Sequence, residues 1–158
     1  ESWHELFVLT ASQWKLPIDV AGLVDNTLAS ASRRAQLEED AIKLREVITR
    51  LNALRVDHTE HAFLKAIVLF KAECRHLTEA TRVELLQDQT HVMLQEYCVT
   101  QSRASHKATS RFGKLLLTLP AVQAVSKRGL EELLFRQTVG HVAVEKLLSD
   151  IGSSMHQV

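Results

Sequence analysis

The chain has 158 residues, with Lys+Arg and Asp+Glu both at 19, so its formal net charge is zero. That balance supplies no overall field to draw it onto nucleic acid or an anionic membrane. Hydrophobic residues make up 46% but Gly only 5 and Pro only 2 residues, which excludes a turn-rich β-sandwich and a low-complexity chain. Two cysteines, Cys74 and Cys98, are too few for a disulfide framework or a four-cysteine zinc site, and they fit a reducing compartment. The first residues carry no basic segment of the signal-peptide type, and no apolar run approaches the ~20 residues of a membrane helix.

Trp3, Leu6, Phe7, Ala11 and Trp14 already repeat at helical spacing with no capping stretch before them, so the pattern reads as cut at its start. Pro17 ends this first helix. Residues 17–34 read as a short turn of structure and then a mobile loop. From Ala35 the period returns through Leu37, Ala41, Leu44, Ile48, Leu51 and Leu54. Asp57 to Thr59 can cap the next helix, roughly 59–71, which is apolar nearly all round and is expected to be central and buried. A fourth helix opens near Thr78–Thr81, with Val83, Leu86, Met93, Leu94 and Tyr97 on its apolar face.

Ser102 to Ser110 reads as a polar loop. A long helix is expected from Arg111 to about Val139, kinked at Pro120 and stopped at Gly140. It carries two stripes: Phe112, Leu115, Leu119 and Val122, and then Gly113, Leu116, Leu117, Pro120 and Ala124. Two apolar faces mean either a helix sandwiched inside its own domain or a second partner, and the small residues of the second stripe permit close approach of another copy. A short amphipathic segment, Val144 to Ile151, follows, and residues 153–158 form a frayed tail. The fold class is all-α.

The chemistry-bearing residues point away from catalysis. Asp57-His58-Thr59-Glu60-His61 places two histidines three apart, but no further Cys or His stands at ligand spacing, and the acids suit a helix start. No metal site and no cofactor are expected. Glu145 with Asp150, and Asp88 with His91, read as solvated helix faces. There is no phosphate-cradling loop and no nucleophile elbow, so no catalytic residue is assigned.

Three stretches together resemble the ligand-binding domain of nuclear receptors: Ser2-Trp3-His4-Glu5-Leu6-Phe7-Val8-Leu9 is similar to its fifth helix, Arg111 to Ala121 to its tenth, and Leu134 to Gly140 with Val144 to Ile151 to its eleventh and twelfth. Phe63 to Lys71 and Leu86-Gln87-Asp88-Gln89 also match. Within the family the chain most resembles the tailless group of orphan receptors.

The resemblance implies a helical sandwich with its N-terminal helices missing. Residues 1–152 would be the C-terminal two-thirds of the domain, helices five to twelve. It implies that DNA is reached only through a zinc domain absent from this chain. It implies a nuclear location, no membrane and no enzymatic step.

Several site residues follow from the same resemblance. Trp3, Phe7, Val8, Gly129, Glu132, Leu133 and Arg136 fall at pocket-facing positions of the retinoid X receptor. Trp14 stands where that receptor has an arginine that anchors an acidic ligand. Glu132 and Arg136 are four apart and can pair, or both can turn to solvent. Charges are costly in an apolar pocket, so the expected pocket is vestigial: closed, distorted or ligand-independent.

The last helix is the family's switch, here Val144, Leu147, Leu148, Asp150 and Ile151, ending at Gly152. Asp150 is one methylene shorter than the usual Glu. This segment could lie in the coregulator groove as its own occupant. The implied partners are an atrophin-type corepressor peptide and a homodimer through the long helix 111–139, with Gly113, Leu116, Leu117, Pro120 and Ala124 as the dimer surface. The rival expectation is a domain that binds a small apolar molecule and recruits LxxLL coactivators.

Overall fold

The computed structural model describes residues 1–74, 77–101 and 105–155, with residues 105–109 described by their backbone. No strand occurs among them. The chain runs α1 (Trp3–Gln13), α2 (Val20–Asp25), α3 (Ala31–Ala53), α4 (His58–Leu69), α5 (Ala80–Gln101), α6 (Ser105–Leu116) and α7 (Leu119–Gln123). It continues through α8 (Lys127–Leu130), a π-turn (Glu131–Phe135), α9 (Arg136–Val139) and α10 (Val144–Met155).

Helix α1 is the axis of the fold, with α3, α4 and α7 packed around it. Val8 and Leu9 are fully buried and join Leu44, Ile48, Leu64, Val68, Leu94, Leu115, Val122 and Leu130 in one core. A smaller cluster of Val24, Leu37, Ala41 and Leu133 ties α2 and α3 to the π-turn. The inward stripe of the expected long helix is the one through Leu115 and Val122, both fully buried.

Local chemistry explains the boundaries. Ser30 accepts from the Arg33 amide and starts α3 four residues earlier than its apolar period begins. Residues 31–34 are therefore helix, not loop. Asp57 and Glu60 form a reciprocal capping box at α4: the Glu60 amide donates to Asp57 Oδ1 at 2.8 Å and the Asp57 amide to Glu60 Oε2 at 3.0 Å. Gly140 stops α9 at φ +69, a conformation that favours glycine.

Four further expectations change. Helix α4 is not buried all round: it packs on α1 and α5, which leaves Leu69 exposed. On α5 the inward residues are Thr90, Leu94 and Cys98, while Leu86 and Met93 face outward.

The polar stretch expected as a loop is helical from Ser105, since it contains no Gly or Pro to break it. Residues 102–104 of that stretch lie outside the described residues. Lastly, Arg111 to Val139 is not one kinked helix. α6 ends at Leu116, buried Thr118 turns its hydroxyl onto the Leu115 carbonyl at 2.6 Å, and Pro120 sits in the first turn of the new helix α7. A proline at that position has no amide to lose. Ser126 then caps α8 through the Gly129 amide at 2.9 Å.

Candidate functional site

The π-turn is the centre of the site. Phe135 meets Phe7 edge-to-face at 5.2 Å and Trp3 at 6.0 Å between ring centroids, so α1 and the π-turn share an aromatic wedge. Val8 lies beneath it in the core, and Leu133 points into the smaller cluster with Leu37. Gly129 is buried against Asp40 of α3, whose side chain occupies the space a Cβ would take. Phe135 was not among the expected site residues. The sequence signal for it is the apolar run Leu133-Leu134-Phe135, which reads only as helix packing.

Glu132 is 6% exposed, yet three arginines reach it. Arg33 Nε donates to Oε2 at 2.9 Å and its Nη2 to Oε1 at 2.8 Å, a bidentate pair. Arg128 Nε donates to Oε1 at 2.9 Å. Arg136, the partner expected from spacing, stands at 3.8 Å. Glu132 is not turned to solvent, and the expected pair with Arg136 is present at 3.8 Å, but its main partner is Arg33, which lies 99 residues away in sequence. The Arg33 hydrogen bonds hold the Glu132 carboxyl below the usual carboxylate range and raise the Arg33 guanidinium above its ordinary value.

Trp14 is not part of this group. It caps the end of α1 and is 78% exposed, and the chain turns away just after it through Lys15 at φ +53. The expected pocket set therefore divides into an inner group at the π-turn and a solvent-facing Trp14.

Helix α10 is held at its first turn. The Val144 amide donates to Glu131 Oε1 at 2.9 Å, and Lys127 Nζ donates to Glu145 Oε1 at 3.0 Å. The Lys127 hydrogen bond lowers the Glu145 carboxyl. A cleft of about 180 Å³ separates α10 from the π-turn, lined by Glu132, Phe135, Arg136 and Val144 among others. Val144 and Leu147 are half-buried, and Asp150 is exposed.

Leu148 and Ile151, together with Met155, form an exposed apolar stripe at helical spacing. No groove wall covers that stripe among the described residues. The helix passes through Gly152 and on to Met155, where Ser153 and Ser154 hydroxyls bond the carbonyls of Ser149 and Asp150. Residues 156–158 lie outside the described residues.

The second stripe of α6 and α7 faces outward. Leu117 is 65% exposed, Pro120 and Ala124 are exposed, Leu116 and Gly113 are half-buried, and a Cβ at Gly113 would meet nothing. His58 and His61 are both engaged within the protein: Gln13 Nε2 donates to His58 Nδ1 at 2.7 Å, and His61 Nδ1 donates to the Asp57 carbonyl at 3.0 Å. No helix among the described residues is long and apolar enough to cross a membrane.

The family described as the ligand-binding domain of nuclear hormone receptor matches residues 1–139. Steroid receptor seven-up, isoforms B/C, of Drosophila melanogaster is 40% identical over 94% of the chain and 28% of its own length. Nuclear receptor subfamily 2 group F member 5 of Danio rerio is 36% identical over 95% of the chain. Group F member 6 of Homo sapiens is 37% identical over 95%. The chain spans 38% of the length of each of these two. These relatives are of seven-up and group F type and lend no support to the tailless group. The chain belongs to the family of nuclear hormone receptor ligand-binding domains.

Proposed function

We propose that the chain is the regulatory part of an orphan nuclear receptor of seven-up type. It acts in the nucleus as a transcriptional repressor, without an enzymatic step and largely without a ligand. The observation that carries this reading is helix α10: an apolar stripe of Leu148, Ile151 and Met155 left exposed while Glu131 and Lys127 hold the first turn. Such a stripe suits helix-in-groove recognition of a coregulator. The buried Glu132 cluster speaks for ligand independence, since an apolar ligand would have to lie against its charges.

The finer proposal is an atrophin-type corepressor peptide as the partner. In the full-length receptor, a labelled atrophin-type helix is expected to bind without added ligand and an LxxLL helix is not. Leu147→Ala with Leu148→Ala is expected to abolish corepressor binding. Preferential LxxLL binding, strengthened by a lipid extract, would instead establish the ligand-activated reading, which the aromatic wedge of Trp3, Phe7 and Phe135 favours.

The outward stripe on α6 and α7 supports a homodimer. Leu116→Arg with Leu117→Glu is expected to leave helix content unchanged and shift sedimentation to the monomer. Unchanged sedimentation would remove this surface from the interface.

A further inference from the structure

The C-terminal ends of α1 and α3 and the start of α4 enclose a cleft of about 820 Å³, away from the π-turn. Lys15 and Arg55 line it and no carboxylate does. Three other clefts mix acids with bases: Glu5 with Lys71, Glu131 with Arg128, and Asp25 with Arg34. Neither Lys15 nor Arg55 forms an ion pair among the described residues.

Both cations are also placed by their backbones. Lys15 and Arg55 are the non-glycine residues with positive φ among the described residues, at +53 and +49, each just past a helix end. Arg111 holds the second corner, donating from Nη1 to the Leu54 carbonyl at 2.6 Å and from Nη2 to the Arg55 carbonyl at 3.4 Å. Trp14 stands at the mouth beside them.

Two deeply buried side chains also line the cleft, each with an atom that lacks a partner. Ser12 is 1% exposed and His61 is 4% exposed, and neither Ser12 Oγ nor His61 Nε2 makes a hydrogen bond. His61 Nδ1 donates to the Asp57 carbonyl, and burial lowers the affinity of the ring for a proton. Nε2 is therefore a lone-pair acceptor. Leaving such groups unpaired costs about 1–3 kcal/mol each, which a bound hydroxyl would offset.

We propose that this cleft binds a small organic anion, with its carboxylate between Lys15 and Arg55, its flat apolar body against Trp14, and a hydroxyl donating to His61 Nε2 beside Ser12. The site is independent of the coregulator surface on α10.

The test uses the full-length protein and 4-hydroxyphenylacetate as the probe, followed by ligand-observed saturation-transfer NMR. The wild type is expected to bind it. Lys15→Gln with Arg55→Gln, both at exposed positions, is expected to weaken binding about tenfold with no change in the melting point. Phenylacetate, which lacks the hydroxyl, is expected to bind the wild type several-fold more weakly. Equal affinity of wild type and double variant, equal affinity for the two probes, or no saturation transfer at millimolar probe would each overturn the proposal.

Discussion

Glu60→Ala is expected to destabilise the fold by about 3–5 kcal/mol, which lowers the melting point of a domain this size by roughly 10 °C. Glu60 is buried and has two tasks. Its amide and carboxylate complete the capping box with Asp57 at the start of α4. Its carboxylate also takes a fork from Arg111: Nε donates to Oε1 at 2.8 Å, and Nη2 reaches Oε2. The same guanidinium holds the carbonyls of Leu54 and Arg55. One contact thus joins α6, the α3–α4 corner and the α4 cap.

Removing the acid leaves a half-buried guanidinium without its counter-charge, and that uncompensated charge is the main cost. Glu60→Gln keeps an acceptor for the Asp57 amide and is expected to recover the cap but not the pair, so its loss falls between wild type and Ala. Thermal melts of the three proteins check this. A loss below 1 kcal/mol for Glu60→Ala would show that the pair is solvated.

Glu132→Gln is the second large effect, at about 3 kcal/mol near neutral pH, because it leaves three arginines around a neutral amide. Its pH dependence has a definite sign. The folded carboxyl is held below its unfolded value, so the unfolded chain binds the proton more tightly. The stabilisation is therefore complete above the unfolded carboxyl range, about pH 4.3, and is lost as the pH falls through the lower folded value. Urea unfolding of wild type and variant from pH 7 downward should give curves that converge at acid pH. A constant gap would mean that Glu132 contributes through packing and not through charge.

Most of the helices were legible because their apolar residues repeat at the right interval. α3, α4 and α5 follow Leu44, Leu64 and Leu94, each fully buried in one core, and α1 follows Ala11, buried in the same core. Asp57 and Gly140 were legible as punctuation, since a capping side chain and a left-handed stop have local signatures. Pro120 was ambiguous because a kink and a new helix start look the same to a periodic pattern. What distinguishes them is Thr118, whose hydroxyl turns onto the Leu115 carbonyl at the break.

Leu86 and Met93 show a second limit: spacing finds an apolar face but not whether anything covers it. The site was less legible than the fold. Glu132 was singled out by its position, but Arg33 belongs to a stretch that reads as loop, and no interval joins residues 99 apart. Ser12, Lys15 and Arg55 have no shared pattern at all, since three different helix ends bring their cleft together.

The π-turn at Glu131–Phe135 has a consequence for how this segment can change. A π-turn is an α-helix that has taken in a single extra residue, accommodated as a local bulge. Because the bulge absorbs that residue, the helical turns on either side keep nearly the same faces, and its effect is confined to the widened turn itself. Phe135 meets Trp3 and Phe7 from that turn, and Glu131 meets the Val144 amide from it. A loss of one residue here would close the widened turn and disturb those contacts, the ones that hold the start of the last helix, while the core beneath stayed as it is.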